Sequence, residues 1–233
     1  LLPGLEQVAG RMSCVEKIVV CADNAPWSTS LPNTVDYEEF IAGESTDYAW
    51  PQIDENSPLG LCYTSGTTGK PKGVMYTHRS TYLHTMAAAM TDVVSLSATD
   101  SLCGIVPMFH AMGWGMPFAA TMVGCKQVMP HRFMVAEKLL DLIAGEDVTI
   151  SAGVPTIWQG VRAAFCAAPQ RWDLSNLQRL TCGGSAPPLE MLRWYWDTLG
   201  IEMIQGWGMT ETNPIASISR RINKRADVNL SLD

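Results

Sequence analysis

Residues 63–77 run Tyr-Thr-Ser-Gly-Thr-Thr-Gly-Lys-Pro-Lys-Gly-Val-Met-Tyr-Thr, a knot of small residues between two short apolar segments. Gly66, Gly69 and Gly73 open backbone torsions closed to other residues, so successive N–H groups can turn inward around an anion. Thr64, Ser65, Thr67 and Thr68 add short hydroxyls, and Lys72 adds a point positive charge. The chemistry is that of a phosphate cradle. It is not the P-loop of the common nucleotide hydrolases: only two residues separate Gly66 from Gly69-Lys70, and Pro71 stands where Ser or Thr belongs. The β-formers Val74–Thr77 follow, so the loop feeds a strand, and its own amides must do what a helix N-terminus would otherwise do. A plain Gly/Thr turn is the alternative; ten ordered positions in register weigh against it.

Outward from this loop, short apolar runs alternate with helical patterns. Strands are expected at Lys17–Cys21, Leu59–Tyr63, Val74–Thr77, Ser101–Val106, Cys125–Met129, Asp147–Ser151, Gln178–Cys182 and Glu202–Gln205. Helices are expected at His78–Ser95, Trp114–Val123, Met134–Ile143, Pro155–Ala167 and Pro187–Leu199. The first of these should bury Leu83, Met86, Ala87, Met90 and Val94, which recur at helical spacing. Ala22–Pro26 are turn formers. Residues 27–58 are polar and Pro-rich and read as an exposed connection, with a short helix near Asp36–Ile41. Repeated strand–helix alternation predicts the α/β class, with layered, largely parallel sheets covered by helices. Sites in such sheets lie beyond the carboxyl ends of strands. Pro107–Trp114, Gly183–Pro188 and Gly206–Pro214 all follow expected strands there.

In Gln205-Gly-Trp-Gly-Met-Thr-Glu-Thr-Asn-Pro214, Gly206 and Gly208 let backbone approach a flat ligand, and Trp207 offers a stacking face. Thr210 and Glu211 put a hydroxyl beside a carboxylate, an arrangement suited to a magnesium ion that keeps several waters. A strand-to-loop turn with a solvated glutamate would look the same. Gly183-Gly184-Ser185-Ala186 is a tight turn before a helix. His110 stands in Val106-Pro-Met-Phe-His-Ala-Met-Gly-Trp114, amid apolar residues, where a satisfied core histidine is the commoner reading. Met112, Gly113, Trp114, Gly115, Met116 and Phe118 are either core packing or the wall of an aliphatic pocket, and the glycines favour the pocket by leaving free volume.

Composition narrows the classes. The chain has 233 residues, 47% hydrophobic and 17% charged, with a formal charge of −7. That length buries a substantial core, and the acidic balance, with no basic run or interleaved aromatic stripe, argues against nucleic acid. No apolar run reaches a membrane span; the longest, Ile105–Val123, is broken by Pro107, His110 and Pro117. No signal peptide is visible. Seven cysteines, an odd count without a C-x-x-C and most of them in apolar surroundings, read as buried free thiols in a reducing compartment, so a cytoplasmic location is expected. The four histidines show no zinc-site spacing. The chain opens on Leu1, and its polar tail Arg220–Asp233, with Arg220, Arg221, Lys224 and Arg225, lacks a capping element, so it reads as a segment of a longer protein.

Together, the loop at 63–77, the Gly183–Ala186 turn and the Gly-aromatic-Gly-x-Thr-Glu segment resemble the motifs of the AMP-forming acyl-adenylate enzymes: acyl-CoA synthetases, adenylation domains and luciferases. The likeness spans about Lys17 to Ser217, with the motifs in the expected order. It implies that Thr64–Gly69 and Lys72 hold the ATP phosphates and that Gly183–Ala186 separate adenine from the acyl group. It implies further that Gln205–Met209 line the AMP site, that Thr210 contacts phosphate, and that Glu211, with Thr64, binds Mg2+. His110 would border the carboxylate, and Met112, Gly113 and Trp114 would line the acyl tunnel. Thr64, Lys72, His110 and Glu211 are the catalytic candidates. Trp207 replaces the usual tyrosine, and either ring stacks.

The run from Pro107 to Pro130 looks most like bacterial medium- and long-chain fatty acyl-CoA synthetases, with ATP, coenzyme A and a small carboxylic acid as ligands and no transmembrane segment. This class is compatible with a homodimer. A short-chain, aryl or sulfur-containing acid, or a non-catalytic nucleotide- or acyl-binding module, are the alternatives. The resemblance makes residues 1–233 the central part of a large N-terminal domain. The small C-terminal domain is absent, as are the Tyr-x-Thr-Gly-Asp segment and the C-terminal lysine, so residues 1–233 alone are expected to be inactive.

Overall fold

The computed structural model describes residues 2–22, 27–66, 69–131 and 134–220. Thr67 and Thr68 of the loop, most of the Ala22–Pro26 turn and the tail beyond Arg220 lie outside the described residues. The chain divides into two units, Leu1–Gln52 and Ile53–Asp233.

In the first unit, α1 (Leu2–Glu6) and a 3-10 turn precede β1 (Ile18–Val20), which pairs in parallel with β2 (Thr34–Asp36). The Asp36 side chain accepts from the Glu38 N–H and caps α2 (Tyr37–Ile41). The expected short helix is therefore present. The strand before it was not expected, because Thr-Val-Asp is too short to show an alternation.

The second unit begins with an antiparallel hairpin, β3 (Pro58–Thr64) and β4 (Lys72–Thr77), whose register ends on the Thr64–Lys72 pair. The phosphate-cradle candidate is the tip of this hairpin. Thr77 and Ser80 form a reciprocal capping box that starts α3 (His78–Ala89) directly from the strand. Then follow β5 (Ser101–Gly104), α4 (Ala111–Trp114), α5 (Met116–Val123), β6 (Lys126–Val128), α6 (Ala136–Gly145) and β7 (Ile150–Gly153). The remainder is α7 (Pro155–Ala167), β8 (Arg179–Cys182), α8 (Leu189–Leu199), β9 (Glu202–Gly208), a 3-10 turn at Thr210–Thr212 and β10 (Ile215–Ser219).

The main sheet has the order β10-β9-β8-β7-β5-β6, parallel throughout except for β10, which runs antiparallel on β9. The expected largely parallel α/β sheet is thus observed, with β10 as an unforeseen edge. All four residues of β7 are buried, as a central strand covered on both faces requires. One face packs Leu139, Leu140, Ile143, Trp158, Val161, Met191 and Tyr195 from α6, α7 and α8. The other packs Trp114, Met116, Ala119 and Ala120 against Leu102, Ile150 and Ala152. Burial is the main influence raising the Tyr195 phenol pKa, and its hydroxyl donates to the Trp158 carbonyl at 2.7 Å.

Two expectations are corrected. α3 ends at Ala89, and its buried residues are Thr81, Thr85 and Ala88, while Leu83, Met86 and Met90 are 50%, 48% and 60% exposed. The physical reason is close packing: α3 lies against α5, and small side chains let the two backbones approach. Val94 is buried, but beyond the helix. The helix expected from Trp114 begins instead at Met116, with Pro117 in its first turn. Before it, Ala111, Met112, Gly113, Trp114 and Gly115 all take left-handed torsions, with φ of 47°, 53°, 64°, 57° and 72°. Three of those residues are not glycine, so this single turn is strained.

Candidate active site

The carboxyl ends of β8 and β9 open into a cavity of about 230 Å³. Three of the segments singled out above converge on it: His110 and Trp114, then Gly183 and Gly184, then Gly206 through Thr210. Ala111, Thr181, Pro214 and Ile215 complete the wall. The reason for this meeting is the register. Cys182 pairs with Gln205, so the turns that leave β8 and β9 emerge side by side at the same level.

Close approach dictates the glycines. A Cβ on Gly183 would lie 3.0 Å from the Gly206 carbonyl oxygen and 3.1 Å from the Trp114 ring. At Gly208 it would overlap the Pro214 carbonyl oxygen. The turn 209–214 is closed by the Met209 N–H donating to the Pro214 carbonyl at 3.1 Å and by the Thr212 N–H donating to the Met209 carbonyl at 3.0 Å. Trp207 is 57% exposed and offers a ring face at the rim, whereas Trp114 is 7% exposed and packs against Gly183. Two indoles therefore bracket the cavity, one wet and one dry.

The hairpin is tied to this turn from the other side. The Tyr76 hydroxyl, on a side chain 3% exposed, donates to the Thr210 carbonyl at 2.6 Å. Burial first, and the charges of Cys62 and Glu211 after it, push the Tyr76 phenol up to about 12, so it stays a donor. The Ser80 hydroxyl donates to Asn213 Oδ1 at 2.8 Å. These bonds hold the Thr210-Glu211 pair against the hairpin whose tip carries Thr64, Ser65, Gly66, Gly69 and Lys72. Gly66 has φ +61°, and an added Cβ would lie 2.7 Å from the Lys70 carbonyl, so only glycine suits that turn.

Other expected residues lie outside the lining. Ser185 and Ala186 are exposed and Gln205 is half-buried. Gly113 packs on Met108 and Pro117, and the Met112 thioether fills the space a side chain on Gly60 would need. His110 is exposed at the cavity mouth. Among the described residues no cluster of three or more His, Cys, Asp or Glu could hold a metal ion. A cation beside Glu211 would therefore draw its remaining oxygens from a hydroxyl such as that of Thr64, from water and from ligand phosphates, the habit of Mg2+.

Sequence reasoning missed His84. Its Nε2 accepts the Ile215 N–H at 3.1 Å, and burial holds its pKa below the ordinary histidine value. The neutral ring therefore carries its proton on Nδ1, which is buried without a partner and faces the turn at Gly115. His84 thus braces Ile215 on one side and the Trp114–Gly115 turn on the other. Ile215 also borders a second cavity of about 140 Å³ between α3 and β10. Nothing in the sequence singled out His84, because the apolar spacing of its helix pointed to another face.

The description "AMP-binding enzyme" matches residues 3–231. The chain belongs to the AMP-binding enzyme family. Among its relatives, a medium-chain-fatty-acid–CoA ligase of Ectopseudomonas oleovorans is 42% identical over 228 residues, which are 97% of this chain and 41% of that protein. A 3-methylmercaptopropionyl-CoA ligase of Ruegeria lacuscaerulensis is 43% identical over 189 residues, 80% of this chain and 34% of that protein. Among solved structures, the anthranilate CoA ligase AuaEII in complex with anthranoyl-AMP superposes with a TM-score of 0.79 at 26% identity, covering 94% of this chain and 41% of that one. The chain thus spans about two fifths or less of the length of these relatives.

Proposed function

We propose that this AMP-binding chain is the central part of the large N-terminal domain of an AMP-forming acyl-CoA synthetase acting on a medium- or long-chain fatty acid in the cytoplasm. The observation that carries the reading is the convergence of the His110, Gly183 and Gly206–Thr210 segments on one cavity, with an exposed indole on one side and a buried one on the other. Adenine stacks on Trp207, and the acyl group runs toward Trp114. Ser65, Gly66, Gly69 and Lys72 hold the triphosphate, Thr210 contacts phosphate, and His110 borders the carboxylate. A carboxylate oxygen attacks the α-phosphorus and pyrophosphate leaves in line; the coenzyme A thiolate then attacks the acyl carbonyl and AMP leaves. Positioning and charge carry both steps, so no side chain need act as a nucleophile. When bound by Glu211 and Thr64, Mg2+ supplies positive charge against the phosphate oxygens. A shorter acid is the second reading, supported by the cavity of about 230 Å³ and by the likeness to the 3-methylmercaptopropionyl-CoA ligase.

The test is carboxylate-dependent ATP–pyrophosphate exchange by the complete gene product across a series of acids. Glu211→Gln should lower exchange by roughly 10²-fold, the scale of losing one preorganised electrostatic contact, with the melting temperature unchanged. Near-normal exchange by that variant across a magnesium titration would refute the metal assignment.

A further inference from the structure

Thr181, the third residue of β8, is 1% exposed, yet its hydroxyl has no hydrogen-bond partner. Its neighbours across the sheet are Ala152 and Ile204, which offer no side-chain donor or acceptor. The side chain nevertheless lines the main cavity, and its methyl lies 3.7 Å from where a Cβ on Gly206 would sit. A staggered rotation about χ1 exchanges that methyl for the hydroxyl.

Strand alternation says which part of a ligand meets this group. Thr181 and Gly183 lie two residues apart and so share a face, the one against which the Trp114 ring packs. Its partner Ile204 and Trp207 are three apart in β9, so Trp207 leaves the sheet on the opposite side. The Thr181 hydroxyl therefore belongs to the Trp114 side, away from the proposed adenine face. Valine has the same shape and would spare the fold a buried unpaired hydroxyl.

We propose that Thr181 is a specificity-determining residue of the acyl site. Its hydroxyl bonds an oxygen or nitrogen atom on the part of the acyl group enclosed by the cavity. The site then prefers a hydroxy-, oxo- or ether-bearing aliphatic acid over the plain hydrocarbon acid of equal length. This narrows, and rests on, the acyl-CoA synthetase reading above. A site whose buried polar group pairs with the substrate rejects the analogue that leaves that group unpaired.

The experiment compares each straight-chain acid with isosteres in which one methylene becomes an ether oxygen, a carbonyl or a hydroxylated carbon, scanned along the chain. The complete gene product, Thr181→Val and Thr181→Ser are each measured by ATP–pyrophosphate exchange and by ligand-induced shift of the melting temperature. The wild type should favour at least one isostere by roughly five- to tenfold, the scale of one hydrogen bond. Thr181→Ser should keep that ratio, and Thr181→Val should abolish it while melting higher without ligand. An unchanged ratio in Thr181→Val overturns the proposal, as does an equal loss for every acid, which would put the hydroxyl on atoms common to all carboxylates. Absent exchange beside a Thr181-dependent binding preference would refute the synthetase reading and uphold the Thr181 contact.

Discussion

Replacing Trp114 by glycine separates a core residue from a wall of the acyl pocket, because the structure gives it a share in both. The indole is 7% exposed and packs with Met116, Ala119 and Ile150 while it borders the cavity. Deleting a buried Trp side chain costs about 3–5 kcal/mol. Its backbone has φ +57°, and glycine relieves about 1–2 kcal/mol of left-handed strain there, less about 0.5–1 kcal/mol for its extra freedom in the unfolded chain. The net loss is roughly 1.5–5 kcal/mol, a fall of roughly 3–20 °C in melting temperature for a unit of this size. On the substrate side, each added methylene that finds room contributes roughly 0.8 kcal/mol. Two methylenes in the vacated space should then raise kcat/KM for the longer acid about 15-fold relative to the original optimum. The assay is kcat/KM for straight-chain acids with the complete gene product, beside thermal melts of both proteins. A lower melting temperature with an unchanged chain-length profile would mean that Trp114 is core alone and that the acyl group lies elsewhere.

Gly208→Ala should open the 208–215 turn. The atoms nearest its Cβ would be backbone, including the Pro214 carbonyl carbon at 2.8 Å and the Ile215 Cα at 3.1 Å; a loss of about 1–3 kcal/mol and weakened AMP binding by calorimetry are expected, and AMP binding equal to wild type would refute the close-approach argument. The contrasting Gly206→Ala meets Thr181 at 3.7 Å, an ordinary contact, and should leave the melting temperature within a few degrees. Burial lowers the His84 pKa in the folded state, so the unfolded chain takes up this proton first. The contribution is complete above the unfolded value near 6.5 and is lost as pH falls toward the folded pKa, by up to roughly 1.4 kcal/mol per pH unit. His84→Gln should flatten the melting curve between pH 7.5 and 5, and an identical pH dependence in both proteins would dismiss the buried neutral histidine.

Much of the backbone of the candidate site could be read residue by residue because its demands are local. Gly66 needs a positive φ, and the strands before the Gly66 and Trp207 segments show as short apolar runs. Alternation of strands and helices was enough to predict a mostly parallel sheet, since a strand buried on both faces, such as Ile150–Gly153, must be apolar or small throughout. Other features depend on partners distant in the chain. The buried face of α3 follows from how closely α5 approaches it, so Thr81, Thr85 and Ala88 displaced the more hydrophobic Leu83 and Met86. β10 exists because Ile215–Ser219 folds back on β9, and a five-residue segment carries no sign of its partner. His84 meets the Ile215 N–H across 131 residues, Tyr76 meets Thr210 across 134, and the unpaired hydroxyl of Thr181 acquires meaning only from the cavity beside it. Short-range backbone requirements are written in residue type and spacing. Which groups are left to face one another, and which are left without a partner, is decided by tertiary packing.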